Sequence, residues 1–220
     1  MLVIRQSFDD SLGSLVQDIL RMGSIVENML DNSVESLKLQ DLKLAQEVLK
    51  MENEIDSLEQ EIEHKCLRLI ATQQPFAKDL RRITAGFKII TDLERMADYC
   101  EDIAKVTLRI GAEDLIKPLI DIPRMSLLTQ RMLKDALDSF AYENIELAYQ
   151  MCKDDDEVDH IYAQVIRELL TYMMENPKTI SQATSLMFVG RYIERIADHA
   201  TNIGERVIFL VTGIKKELND

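Results

Sequence analysis

The stretch Tyr192-Ile-Glu-Arg-Ile-Ala-Asp-His-Ala-Thr-Asn-Ile203 decides the fold, because a close copy of it stands about one hundred residues earlier. That copy reads Asp92-Leu-Glu-Arg-Met-Ala-Asp-Tyr-Cys-Glu-Asp-Ile103. In both stretches oxygen-bearing side chains recur every four residues, which places them on one face of an α-helix. The positions between them supply an apolar stripe. The twin stretches therefore predict two equivalent helices, each with a column of acidic side chains beside its apolar stripe.

The acidic side chains within each of these two columns repel one another, and a bound cation would offset that repulsion. Their members are Glu94, Asp98 and Asp102 in the first copy, and Glu194, Asp198 and Asn202 in the second. Acidic side chains four residues apart destabilise an isolated helix by about 0.2–0.5 kcal/mol per pair. The alternative is a solvated acidic face, since the chain is rich in acid throughout. The recurrence of the column in both halves favours a bound cation more than a single copy would.

The two halves of the chain also align with each other outside these stretches. At an offset of 103 residues, Met29 falls on Met132, Ile55 on Val158 and Ile62 on Val165, and in the last helix the offset is 100. The pattern predicts a three-helix unit written twice, with residues 1–113 as the first repeat and 114–220 as the second. Short connections favour antiparallel neighbours, so we expect an all-α fold of two up-down-up three-helix bundles.

The sequence predicts six long helices, from the helical spacing of apolar residues and from the residues that end helices. The expected ranges are about 7–39, 42–71, 77–110, from the segment 112–123 to about 141, 144–175 and 179–212. Asp41 is expected to cap the second helix. Pro75 ends that helix, and Gly111 and Gly213 end the third and the sixth.

The alignment of the halves exposes a second acidic motif on the middle helix of each repeat. Glu52 and Asp56 in the first repeat match Asp155 and Asp159 in the second. If the acidic faces of two helices are adjacent, four or five oxygen ligands converge in each repeat. Oxygen-only sites suit Mg²⁺, Mn²⁺ or iron rather than a structural zinc ion. The alternative for this pair alone is a solvated charge run, and the acid-rich segment 154–157 resembles an exposed helix start.

Composition and charge exclude several classes of protein. The 220 residues carry a formal net charge of −13, which disfavours binding to nucleic acid or to an anionic membrane. Three cysteines without paired spacing suit a reducing cytoplasm rather than a disulfide framework. The first residues are too polar for a signal peptide, and the apolar runs are too short to span a bilayer. We therefore expect a cytoplasmic protein.

Enzymatic alternatives have weaker support. Glu61-x-x-His64 and Glu157-x-x-His160 are similar to the Glu-x-x-His of di-iron bundles, but they do not coincide when the halves are aligned. His199 follows Asp198 and is expected to be exposed or packed rather than a ligand. No nucleophile elbow, phosphate loop or dinucleotide fingerprint occurs in the sequence. A carboxylate-bridged di-metal oxidase or hydrolase and a metal-free structural adaptor remain the alternatives to a regulatory binding protein.

Several of these segments resemble a known family. Leu93-Glu-Arg-Met-Ala-Asp98 and Ile193-Glu-Arg-Ile-Ala-Asp198 are similar to the twin signatures of the PhoU family, the accessory regulators of phosphate-specific transport. Gln74-Pro75-Phe-Ala-Lys-Asp-Leu-Arg81 resembles another of its recurrent stretches. The likeness covers about residues 7–212. Ala97 and Ala197 stand where the family usually has Gly before the signature Asp, a mild departure because Ala is the better helix former.

The resemblance implies a function that the residue pattern alone does not reach. It implies no catalysis, a homodimer, and metal ions or clusters (iron, zinc, nickel, manganese or magnesium) held by the acidic motifs. It also implies negative regulation of phosphate uptake and of phosphate-starvation signalling. The implied partners are the ATPase of the phosphate ABC transporter and a sensor histidine kinase, with membrane contact only through them. Carried over by position, the metal ligands are Glu52, Asp56, Glu94, Asp98, Asp155, Asp159, Glu194 and Asp198, with Asp102 and Asn202 continuing the columns.

Overall fold

Six long helices build the molecule. A computed structural model of the chain describes residues 2–218, with side chains from residue 6 onward. The helices are α1 (Leu2–Leu39), α2 (Leu42–Gln73), α3 (Ala77–Ile110), α4 (Asp121–Tyr142), α5 (Ile145–Glu175) and α6 (Ile180–Thr212). A short 3₁₀ turn, Pro177–Thr179, precedes α6, and no strand occurs within residues 2–218. The all-α prediction is confirmed.

The helix ends follow the predicted signals. Asp41 caps α2, since its side-chain Oδ1 accepts hydrogen bonds from the backbone N–H groups of Lys43 and Leu44 at 2.9 and 3.1 Å. Gly111 and Gly213 end α3 and α6 with positive φ angles of 63° and 74°. Glycine reaches these angles without the steric cost that a side chain adds.

Two boundaries differ from the sequence prediction. α1 begins at Leu2 rather than near Ser7. α4 begins at Asp121 and contains Pro123, which the sequence pattern places in the connecting segment. A proline in the first turn breaks no hydrogen bond, because the first N–H groups of a helix have no partner within it. The connection between α3 and α4 is correspondingly shorter than expected.

The helices form two three-helix bundles that pack side by side. α1, α2 and α3 contact one another, as do α4, α5 and α6, while α1 also packs on α4 and α3 on α6. The α3–α6 pair is antiparallel, since Asp92 faces His199 and Tyr99 faces Tyr192. The predicted architecture is thus confirmed, and the division at residue 113 stays a prediction. One layer of the molecule runs in the order α2, α3, α6, α5.

A single apolar core runs through both bundles. Phe140 of α4 is fully buried and reaches the first bundle at Gly86 of α3. A Cβ atom at position 86 would lie 2.8 Å from Ile19 Cδ1, so the small residue leaves room for Ile19. Phe140 Cζ, 3.8 Å from the same point, lies at ordinary contact distance. The continuous core leaves the acidic columns along the α2–α3 and α5–α6 seams.

The segment after α6, residues 213–218, folds back onto α5 and α6; we call it the tail. The backbone N–H of Leu218 donates to Glu205 Oε1 at 2.7 Å. Lys216 Nζ lies 3.2 Å from the hydroxyl of Tyr149 and 4.7 Å from the centroid of its ring. No local sequence pattern predicts this arrangement, because the tail contacts residues distant in sequence.

Candidate metal centre

The second bundle brings its two acidic motifs together at the seam between α5 and α6. Val158 and Ile193 are fully buried and fix which faces of the two helices meet the core. Asp155 and Glu194 flank these apolar positions and are each only 9% exposed. Asp159 and Asp198, one helical turn further along, are more exposed. The seam therefore has two carboxylates at its inner edge and two nearer to solvent.

Asp155 and Glu194 each have a buried oxygen without a partner. Asp155 Oδ1 and Glu194 Oε2 accept no hydrogen bond within the part of the chain that the structure describes. The other oxygen of Glu194 accepts a hydrogen bond from Arg191. A buried carboxylate oxygen without a donor costs about 1–3 kcal/mol or more, so either a cation or a proton would stabilise these two atoms.

The raised pKa values of the carboxylates in this seam also indicate that their negative charges are poorly stabilised. Burial raises the pKa of Asp155 from its ordinary value of 3.8 to about 7, with the negative charges of Asp198, Asp159 and Glu194 adding to the shift. Burial also raises the pKa of Glu194, helped by Asp198 and opposed by Arg191. These carboxylates are close enough for their negative charges to repel one another. The group therefore holds more negative charge than it can stabilise without a cation or a proton.

This arrangement predicts how stability of the metal-free protein depends on pH. The pKa of Asp155 is higher in the folded chain than in the unfolded one, so folding is favoured at low pH and loses this contribution as pH rises through about 7. After allowance for solvent screening we expect a loss of about 1–2 kcal/mol between pH 5 and 8. Urea unfolding in chelator should show it. Asp155→Asn should remove the loss, and the control Asp156→Asn, at an exposed position whose charge contributes less to the shift than burial does, should keep most of it.

The first bundle has a more open version of the same seam between α2 and α3. The pKa of Glu52 is raised by burial and by Asp56, Glu101 and Asp98, so carboxylates of both helices converge here. Burial also raises the pKa of Glu94, with Asp98 adding to the shift. No carboxylate oxygen of this seam is both buried and unpaired within the described residues. Of the two seams, the second is the better prepared for a cation.

Arginine side chains partly neutralise both columns. Arg95 Nη1 donates to Asp98 Oδ2 at 3.1 Å, and its Nε lies 3.4 Å from Glu94 Oε2. Arg195 Nη1 donates to Asp198 Oδ2 at 3.3 Å in the second bundle. These pairs are largely exposed and contribute little to stability. An incoming cation would therefore displace them at little cost.

The carboxylates are not yet arranged as a coordination sphere. Across the described residues, no three His, Cys, Asp or Glu side chains stand close enough together to hold a metal ion without moving. The donor set still fits a hard or borderline cation, because it consists of carboxylate oxygens, two of them buried and unpaired. Binding would require rotamer changes on both helices of the seam. Metal coordination remains a prediction for all ten candidate residues.

Of the third members of the two columns, Asn202 lies at the α3–α6 contact, while Asp102 pairs with Lys105 on its own helix. Asn202 Nδ2 donates to Asp92 Oδ1 at 3.4 Å, and Asp102 Oδ1 lies 3.5 Å from Lys105 Nζ. His199 is packed in this contact, with Nδ1 2.9 Å from the same Asp92 oxygen. Asp92 was not singled out from the sequence, because only the packing of α3 on α6 gives it these partners.

Two further residues border the second seam. Cys152 lies one turn before Asp155 and lines a groove of about 390 Å³ together with Asp159 and Asp198. Burial raises the pKa of its thiol to about 12, and Glu205 adds to the shift. Its spacing of three residues from Asp155 could have marked it in the sequence. Leu218 of the tail also lines this groove, which no local pattern would have suggested.

The histidine motifs do not form a buried di-metal site. His64 and His160 are exposed, and the Nδ1 atom of each contacts the backbone oxygen four residues earlier. Glu157 pairs with Arg124 at 2.7 Å on the outer surface. The alternative of a di-iron oxidase thus has no support from these residues.

Comparison with known proteins places the chain in a family. The PhoU domain matches residues 19–107 and 122–207, which together cover most of both bundles. The chain belongs to the PhoU family. A relative in Clostridium acetobutylicum is 41% identical over 98% of this chain and 99% of its own length, and is named phosphate-specific transport system accessory protein PhoU homolog. Homologues of that name in Caulobacter vibrioides and Aquifex aeolicus are 41% and 42% identical over 94% and 90% of this chain.

Two solved structures share the fold. The crystal structure of PhoU from Pseudomonas aeruginosa gives a TM-score of 0.90 at 35% identity and covers 94% of this chain and 100% of its own. That of the phosphate transport system regulatory protein PhoU from Streptococcus pneumoniae gives 0.89 at 28% identity, with 96% and 99% covered. The family resemblance read from the sequence is confirmed. The relative in Clostridium acetobutylicum is named an accessory protein and the Streptococcus pneumoniae structure a regulatory protein, as expected for a chain that is not an enzyme.

Between residues 2 and 218, no helix combines the length and the apolar character needed to cross a membrane.

Proposed function

We propose that this protein is an accessory regulator of phosphate-specific transport that restrains phosphate uptake and phosphate-starvation signalling. One observation carries the proposal: 41% identity over 98% of the chain to a protein named phosphate-specific transport system accessory protein PhoU homolog. The conserved architecture supports it, since two solved PhoU structures match the whole fold. The proposed partners are the ATPase of the phosphate ABC transporter and a sensor histidine kinase. The proposed location is the cytoplasm, and the proposed assembly is a homodimer.

Metal ions belong to this proposal as regulatory ligands rather than as catalysts. The buried, unpaired oxygens of Asp155 and Glu194 support it, together with the raised pKa of Asp155. A bound cation would join α5 to α6 by removing the repulsion between the carboxylates of the two helices. The α2–α3 seam would do the same in the first bundle, with Glu52, Asp56 and Glu94 among its ligands. Magnesium, manganese, iron, zinc and nickel are the candidates.

The proposal predicts a loss of regulation when the gene is deleted. Cells without the protein, and without a paralogue, should keep a high rate of phosphate uptake and express starvation genes in phosphate-rich medium. A plasmid copy should restore repression. Affinity purification of the protein from native cytoplasm and membrane should recover the transporter ATPase and the sensor kinase. Metal analysis of the purified protein then measures which ions it carries. Unchanged uptake and unchanged starvation-gene expression after deletion would refute the regulatory role.

A further inference from the structure

A small cavity lies where the start of α3 meets the end of α6, beneath the tail. Its volume is about 130 Å³. Ala85 and Phe209 supply apolar surface, and four cationic side chains also line it: Lys88, Arg206, Lys215 and Lys216. The acidic columns take no part in this lining.

The cations of this cavity are unusual in a chain with a net charge of −13. Lys88 and Arg206 make no ion pair within the described residues, and Arg206 Nε is buried without a hydrogen-bond partner. The two tail lysines are engaged elsewhere, Lys215 with Glu217 at 3.0 Å and Lys216 with Tyr149. Two cations are therefore free to bind an anion. A buried guanidinium nitrogen without an acceptor costs free energy, and an oxyanion removes that cost.

The single carboxylate among the described lining residues does not neutralise this group. Glu205 Oε1 accepts the backbone N–H of Leu218 at 2.7 Å, so it fastens the tail. The lining then holds four cationic side chains against one carboxylate. Since opposite charges attract most strongly where water is partly excluded, the cavity favours an anionic ligand.

The apolar floor limits which anion fits. A cavity of about 150 Å³ holds a benzene-sized molecule in other proteins, and the volume here is similar. Inorganic phosphate has no apolar part, so it gains nothing from Ala85, which is buried, or from Phe209. A ligand with a benzene-sized apolar part and a doubly charged group would contact both the apolar floor, Ala85 and Phe209, and the two free cations.

We propose that this cavity binds a small phosphomonoester, with its phosphate between Lys88 and Arg206 and its apolar body against Ala85 and Phe209. Lys216 of the tail, which makes no ion pair within the described residues, lies at the same cavity and adds to its positive field. This site is separate from the metal-binding seams, and the proposal does not depend on the regulatory function proposed above.

Calorimetric titration of the full chain with phenyl phosphate tests the site. The titration is run in chelator and at low salt, so that neither metal nor screening contributes. We expect one molecule bound per chain, about tenfold more tightly than inorganic phosphate, and no binding of phenol. Arg206→Gln and Lys88→Gln should each weaken binding by about tenfold or more, the usual effect of losing a charged hydrogen bond. Arg109→Gln, at an exposed cation near the other end of α3, should change nothing.

The opposite outcomes overturn the proposal. It fails if phenyl phosphate does not bind, if inorganic phosphate binds as well, or if Arg109→Gln weakens binding as much as Lys88→Gln. Lys88 is exposed, so its variant should fold even if Arg206→Gln does not. Ala85→Leu gives a second measurement, because it fills the floor without changing a charge and should also abolish binding.

Discussion

A cation present at a free concentration of about one hundred times its dissociation constant should raise the free energy of unfolding by about 2.7 kcal/mol. Removing the cation with a chelator should reverse this gain. The reason is that only the folded seams bring carboxylates of two helices together. Chelation should not unfold the chain, because the apolar core is continuous through both bundles. Thermal melting with Mg²⁺, Mn²⁺, Zn²⁺, Ni²⁺ or iron, each against chelator, measures the shift.

A double variant assigns this effect to the second seam. Glu194→Gln with Asp198→Asn should abolish metal binding between α5 and α6 and leave the first bundle's site intact. Without metal the variant should be as stable as the wild type or slightly more so, because a repulsive pair is removed. The control is Asp154→Asn with Glu157→Gln, which changes charge equally outside the seam.

Metal content decides between the two interpretations of the columns. If the Glu194 and Asp198 variant keeps its full metal content, these residues are not ligands. If no cation shifts the melting temperature of the wild type, the columns are solvated faces neutralised by arginines such as Arg95 and Arg195.

Phe140→Ala should destabilise the protein by about 3–5 kcal/mol, the usual cost of removing a fully buried aromatic side chain. The effect should be near the upper end, because Phe140 fills space in both bundles at once. Urea unfolding in chelator should show one transition for the wild type and an earlier single transition for the variant.

An exposed phenylalanine provides the comparison. Phe76 precedes α3 and is 82% exposed, so Phe76→Ala should change stability by about 0.5 kcal/mol or less. A loss below about 1 kcal/mol for Phe140→Ala, or two separate transitions in the wild type, would show that the bundles do not share their core as described.

Much of the fold could be predicted because its signals are local. Asp41, Gly111 and Gly213 end or begin helices through hydrogen bonds and backbone angles set within a few residues. The acidic columns could be found for the same reason, since a spacing of four residues fixes one helical face. The internal repeat then matches the column on α3 with the column on α6, and the acidic motif on α2 with the one on α5.

The remainder depends on contacts that no local pattern encodes. Asp92 has partners only because α3 packs on α6, and the cavity at Arg206 exists only because the tail folds back. The two seams also differ in a way the repeat did not predict. Asp155 is buried and Glu52 is only partly buried, although the alignment of the halves makes them equivalent.

The pairing of α3 with α6 has a consequence for how the two halves select each other. Asp92 meets His199, while the equivalent positions bring Tyr192 against Tyr99, with ring centroids 5.8 Å apart. If two copies of the first half packed through α3, each Asp92 would face a tyrosine and lose its histidine. If two copies of the second half packed through α6, each His199 would face a tyrosine and lose its carboxylate. The mixed pairing alone satisfies the buried carboxylate, so the chain encodes a preference for joining its unlike halves over self-association of either one.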